Sequence, residues 1–131
     1  MSEHNKGTVF VVDDDPPVRR ALARMLTYAG FKVHAFASAG EFLAYTGREH
    51  PACLVLDVRM PGRDGFELLE ALQADGRELP VIFITGHGDI PMAVRATRAG
   101  AVDFLSKPFD EAILLDAVVA ALAKARKRDA G

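Results

Sequence analysis

Five short apolar runs that alternate with helical patterns predict an α/β domain built on a parallel sheet with helices on both faces. The alternation is the first observation: "TVFVVD" (8–13), "FKVHAF" (31–36), "ACLVLD" (52–57), "VIFIT" (81–85) and "VDFLS" (102–106) are each followed by residues at helical spacing. Strands interleaved with helices pair in parallel through crossover connections. The second observation is that three of the runs are nearly unbroken hydrophobic stretches, as strands covered on both faces require. The third is size: 131 residues, 50% of them hydrophobic, suffice for one core and not for two.

Each element has its own signals. After the first run, Val18, Leu22, Met25, Leu26 and Ala29 recur at helical spacing, and Gly30 follows where a helix end favours a left-handed residue. The second run alternates Lys32 and His34 with apolar residues, the mark of an edge strand. Ser38 with Glu41, and Asp64 with Glu67, have capping-box spacing. Asp89 with Pro91 opens a helix whose thin apolar stripe includes Met92, Val94 and Ala96. Asp110 opens the last helix, with Ile113, Leu114, Ala117, Val118, Ala121 and Leu122 at helical spacing. The chain divides into a disordered N-terminus (1–7), the folded domain (8–123) and a basic tail or truncated linker (124–131) carrying Lys124, Arg126, Lys127 and Arg128.

Composition excludes several function classes. A net charge of -2 gives no whole-chain electrostatic reason to bind nucleic acid. The single cysteine, Cys53, lies in an apolar run, has no partner for an internal disulfide and fits a reducing, cytoplasmic setting. "MSEHNKG" lacks the apolar core of a signal peptide, and no segment approaches the ~20 apolar residues of a membrane span, so a soluble protein with no membrane contact is expected.

In an open parallel sheet, ligands bind beyond the carboxyl ends of the strands, where the strand order reverses. The polar residues of this chain gather at those ends: Asp13 and Asp14 after the first run, Asp57 at the third, Thr85 at the fourth, Ser106 and Lys107 at the fifth. Asp15, beside "PPVRR", reads as a helix cap. Clustered carboxylates without histidine or cysteine are hard oxygen donors that suit Mg²⁺, which would offset their repulsion and keep them ionised. One carboxylate can then act as nucleophile on phosphorus, and Asp57, alone at a central strand end, is the candidate. The Lys107 ammonium and the Thr85 hydroxyl would each hold a phosphoryl oxygen.

From "VFVVDDD" through "CLVLDVRMPGRDG" and "VIFITGHGD" to "GAVDFLSKPF", nearly the whole chain resembles the receiver domain of two-component response regulators. The resemblance implies a flavodoxin-like (βα)5 three-layer sandwich with strand order 2-1-3-4-5. It implies Asp57 as phosphoacceptor, Asp13 and Asp14 as the acid pair for Mg²⁺, the backbone carbonyl of Arg59 as a further metal ligand, Thr85 as switch hydroxyl and Lys107 as the site lysine. A sensor histidine kinase would be the phosphodonor, and the domain would not be a turnover enzyme. Phe104 matches the aromatic that reorients on activation, and the Lys107–Pro108 bond is expected to be cis. Arg59 and His87 occupy positions where family members vary and side chains can obstruct or orient the attacking water; the alternative is that both are simple solvent-facing polar residues.

Within the family, "TGHGDIPMAV" and "GAVDFLSKPF" look like the FixJ-like branch, whose receivers are usually fused to a LuxR-type helix-turn-helix output domain. This implies a homodimer on phosphorylation, through the fourth helix and fifth strand, and DNA contact only through an output domain absent from this chain. The alternative is a natural single-domain regulator acting by protein–protein interaction. An aspartate-nucleophile phosphatase would want an acid two residues after Asp57, where Arg59 stands. A flavin site would want a hydroxyl-rich phosphate loop where "DDDPPV" stands.

Overall fold

The computed structural model describes residues 6–130, with side chains through 128. The elements are β1 (Thr8–Val12), α1 (Pro16–Tyr28), β2 (Lys32–Phe36), α2 (Ala39–Ala44), β3 (Ala52–Asp57), α3 (Gly65–Ala74), β4 (Val81–Thr85), α4 (Ile90–Arg98), β5 (Asp103–Ser106) and α5 (Glu111–Ala130). The sheet is parallel throughout, in the order β2-β1-β3-β4-β5. This is the flavodoxin-like receiver arrangement, with β2 at one edge.

Alternate residues of the central strands feed two separate cores, because successive strand side chains point to opposite faces. Val9, Val11, Cys53, Val55, Ile82 and Ile84 pack under α1 and α5, against Leu22, Leu26, Leu114, Val118 and Leu122. Phe10, Val12, Leu54, Leu56 and Phe83 pack under α2, α3 and α4, against Phe42, Leu68, Leu72 and Ala96. Cys53 is fully buried, and burial pushes its thiol up to about 12, so it behaves as a small hydrophobe.

The caps follow the sequence signals with two departures. Asp64 and Glu67 form a complete capping box at 2.8 and 2.9 Å, and Asp89 caps α4 through the Met92 N–H at 2.8 Å. At α2, Ser38 accepts from the Glu41 N–H, whereas the Glu41 carboxylate reaches past the cap to the Ala37 N–H at 2.9 Å. Asp15 occupies the N-cap of α1 but makes no side-chain cap bond. Pro17, at the second helical position, has already removed one of the two amide donors that a cap would serve.

Helix α4 buries only Ala96, with Met92 partly buried one turn before it. Val94, expected in that stripe, is 42% exposed beside Ile90 at 80%. Two residues from 92 and 96 is over half a turn, so Val94 faces away from the core. Helix α5 runs on through the basic residues set apart above as a tail: Ala125 is buried and Arg126 Nη2 donates to the Lys6 carbonyl at 2.7 Å. The expected N-terminal disorder lies, for residues 1–5, outside the described residues, whereas Gly7 accepts from the Lys32 N–H at 3.1 Å. Both His50–Pro51 and Lys107–Pro108 are cis. Among the described residues, no helix is long and apolar enough to cross a membrane.

The two ends of the sheet are both polar. At the amino end, Glu49 in the loop before β3 accepts from the Tyr45 hydroxyl at 2.7 Å and pairs with Lys32 at 3.1 Å and His34 at 3.3 Å. The carboxyl end carries the candidate site.

Candidate functional site

Three strands deliver acids and a hydroxyl to one rim because each ends where its ladder does. Asp13 follows β1 and is fully buried, Asp57 closes β3 at 4% exposure, and Thr85 closes β4 with none. Asp14 beside them is exposed. Carboxylate oxygens of Asp13, Asp14 and Asp57 all lie within 4.8 Å of one another. Among the described residues, this is the one such grouping of potential metal ligands.

Lys107 reaches the cluster from the loop after β5. Its Nζ donates to Asp13 Oδ2 at 3.0 Å and stands 3.8 Å from Asp57 Oδ2. Its backbone N–H donates to the Thr85 carbonyl at 2.7 Å, so the same residue that brings the ammonium also ties β5 to the end of β4. Thr85 Oγ1 accepts from the His87 N–H at 3.2 Å. Arg59 and His87 are exposed, each two positions beyond a site residue.

Three carboxylates thus face one ammonium at close range. Burial first, and then the charge of Asp13, push the Asp57 carboxyl up to about 7; Lys107 pulls it down, and Asp14 pushes it up through a hydrogen bond and its charge. The chemistry of this donor set fits a hard divalent cation, since three oxygen ligands of like charge gain most from a small dication.

Two contributors escaped the sequence reading. The Arg19 guanidinium, from the first turn of α1, donates to the Asp13 carbonyl at 2.8 Å. Gly65 opens α3 so close under β3 that a Cβ there would lie 2.6 Å from the Asp57 carbonyl oxygen. Gly65 follows Asp64 at a helix start, and an arginine opposes the dipole in a first turn; only that local misfit signals either residue in the sequence.

The sequence pattern of the response regulator receiver domain matches residues 9–119. The chain belongs to this family. It is 54% identical over 123 residues to Nodulation protein W of Bradyrhizobium diazoefficiens, covering 94% of this chain and 54% of that protein. It is 50% identical over 111 residues to the transcriptional regulatory protein FixJ of Rhizobium meliloti, covering 85% of this chain and 54% of that one. The crystal structure of FixJ-N superposes with a TM-score of 0.81 at 48% identity, covering 88% of this chain and 93% of that chain. The chain therefore spans about half the length of the curated relatives it matches. The receiver places this protein in a two-component system, on the FixJ-like side of the family, with the acid rim where receivers typically hold Mg²⁺.

Proposed function

We propose that Asp57 accepts a phosphoryl group from a sensor histidine kinase, with Asp13, Asp14 and the Arg59 backbone carbonyl holding Mg²⁺ beside it. The observation that carries this reading is the buried Asp57 carboxylate, crowded by two acids and reached by one lysine. Bound Mg²⁺ would supply the positive charge that keeps the acids ionised and offsets charge on the phosphoryl oxygens. An Asp57 oxygen attacks phosphorus as the bond to the phosphohistidine nitrogen breaks, leaving an acyl phosphate on Asp57 and the histidine as leaving group.

Lys107 then exchanges part of its pairing with Asp13 for a phosphoryl oxygen, and the Thr85 hydroxyl donates to another. Thr85 and Phe104 share a neighbour in Gly88, where a Cβ would stand 3.0 Å from both the Thr85 methyl and the Phe104 ring. Movement of Thr85 toward the rim opens space on that side, and the Phe104 ring turns into it. The weakly buried α4, with Ile90 and Val94 exposed, shifts with it and pairs with a second copy across α4 and β5. As FixJ is a transcriptional regulatory protein about twice the matched length, this face would control transcription through a helix-turn-helix output domain outside the chain. The domain works as a switch in the cytoplasm; it assists its own phosphorylation and dephosphorylation without turning over a substrate pool.

The test is intact mass after incubation with acetyl phosphate and Mg²⁺. A single labile phosphoryl adduct on the wild type, absent from Asp57→Asn, is expected. Continuous release of phosphate from simple esters would replace the switch with a phosphatase. Light scattering with and without a beryllofluoride mimic checks the pairing: monomer without it and dimer with it are expected, and an unchanged mass rejects the α4–β5 step.

A further inference from the structure

The acid rim depends on the direction in which Asp14 leaves the end of β1. Asp13 is immobilised through both carboxylate oxygens, Oδ1 accepting from the Asp15 N–H at 2.9 Å and Oδ2 from Lys107 at 3.0 Å. Asp14 is exposed, and it lies beyond the last ladder residue of β1. Its direction is set through the peptide that joins it to Asp13. That peptide is planar, so whatever fixes the Asp13 carbonyl also fixes the Asp14 nitrogen.

The carbonyl is held by the Arg19 guanidinium at 2.8 Å. The Arg19 backbone N–H at the same time donates to the Asp15 carbonyl at 2.9 Å. One residue of α1 thus closes the turn at two points, on either side of Asp14. Arg19 is only partly exposed, and it stands in the first turn of α1, where a cation opposes the helix dipole. The helix dipole opposes a positive charge there, while the acids that precede α1 and the hydrogen bond to the Asp13 carbonyl favour it.

We propose that Arg19 is a positioning residue for the metal site: by anchoring the Asp13–Asp14 peptide it aims Asp14 at the cation shared with Asp13 and Asp57. The inference rests on the reading of this rim as a Mg²⁺ site. It sets a sign that separates it from its rivals. If Arg19 acted only through its charge, its removal would relieve repulsion and tighten Mg²⁺ binding. If it served only the stability of α1, its removal would lower the unfolding temperature and leave Mg²⁺ affinity unchanged. As a positioning residue, its loss weakens Mg²⁺ binding even though a repelling charge has gone.

The experiment is Mg²⁺ binding by titration calorimetry on the 131-residue chain, wild type, Arg19→Ala, Arg19→Met and Arg19→Lys, with thermal unfolding of each. Arg19→Met keeps the length of the stem and removes the donor, so it serves if the alanine variant folds poorly. Affinity is expected to fall about tenfold in both, the lower end of what loss of a supporting hydrogen bond costs a metal site, with partial recovery in Arg19→Lys. Equal or tighter binding by Arg19→Met than by the wild type would overturn the proposal while leaving the Mg²⁺ site intact. A wild type without measurable Mg²⁺ affinity would overturn the site reading and this proposal together.

Discussion

The two rims of the sheet hold similar groups in opposite balance. At the amino end, one acid, Glu49, receives the Tyr45 hydroxyl, Lys32 and His34. Its carboxyl is held below the usual range, chiefly by the Tyr45 hydrogen bond and then by Lys32. At the carboxyl end, three acids face one lysine, and Asp57 is pushed up to about 7. The first balances its one acid with donors of the chain; the second leaves three acids with one lysine, and the proposed Mg²⁺ would restore the balance. Surplus charge of one sign in a buried setting destabilises the fold, and its persistence at one rim makes that rim the candidate working site.

The contrast can be sharpened first at Gly65, where the effect is largest. A Cβ would press on the Asp57 backbone oxygen, which a strand end cannot yield, so Gly65→Ala should lower stability by about 3 kcal/mol. It should also displace Asp57, and chemical denaturation together with Mg²⁺ titration would register both.

Next come the acids themselves, for which opposite signs are expected. In metal-free buffer at about pH 8, Asp57→Asn should stabilise the domain by about 2 kcal/mol, because it removes a charge that its neighbours oppose. Under the same conditions Glu49→Gln should destabilise it by about 1 kcal/mol, because the Lys32 ammonium and the Tyr45 hydroxyl lose a charged acceptor. Denaturant midpoints of the two variants decide the matter, and a shared sign would erase the distinction between the rims. The smallest effect concerns exposed side chains: replacing Arg59 and His87 by alanine should alter the rate of phosphate loss more than the rate of phosphorylation. Equal phosphate loss in the double variant and the wild type would remove both residues from the account.

The fold was legible because its signals are local. Apolar runs, capping pairs and Pro or Gly at element ends name the strands and helices, and five parallel strands of this length leave few arrangements. The rim was legible for a related reason, since residues at the carboxyl ends of parallel strands converge whatever lies between them. What stayed hidden depends on approach between distant elements. The Arg19 side chain bends back to the Asp13 carbonyl, Gly65 yields space to the Asp57 carbonyl, and Glu49 gathers Lys32, His34 and Tyr45 across a loop. Val94 faces outward although the sequence sets it in the apolar stripe, because a thin stripe of small residues leaves the phase of the helix poorly determined. The basic run at 124–131 reads as a tail because its charges conceal Ala125, the one buried residue among those of the run whose side chains are described.

The most direct measurement is the pH dependence of unfolding, in excess EDTA and in excess Mg²⁺, for the wild type and Asp57→Asn. Asp57 has a raised carboxyl in the folded state, so its proton stabilises the fold below the usual carboxylate range, and that stability is lost as pH rises through about 7. Glu49 has the opposite sign, but its window lies lower, as pH falls through its depressed range. The account predicts that, in EDTA, wild-type stability falls between about pH 4 and 7 and levels off above it, that Mg²⁺ abolishes the fall, and that Asp57→Asn lacks it. Superimposable profiles with and without Mg²⁺ would contradict the claim that the rim is built around a dication.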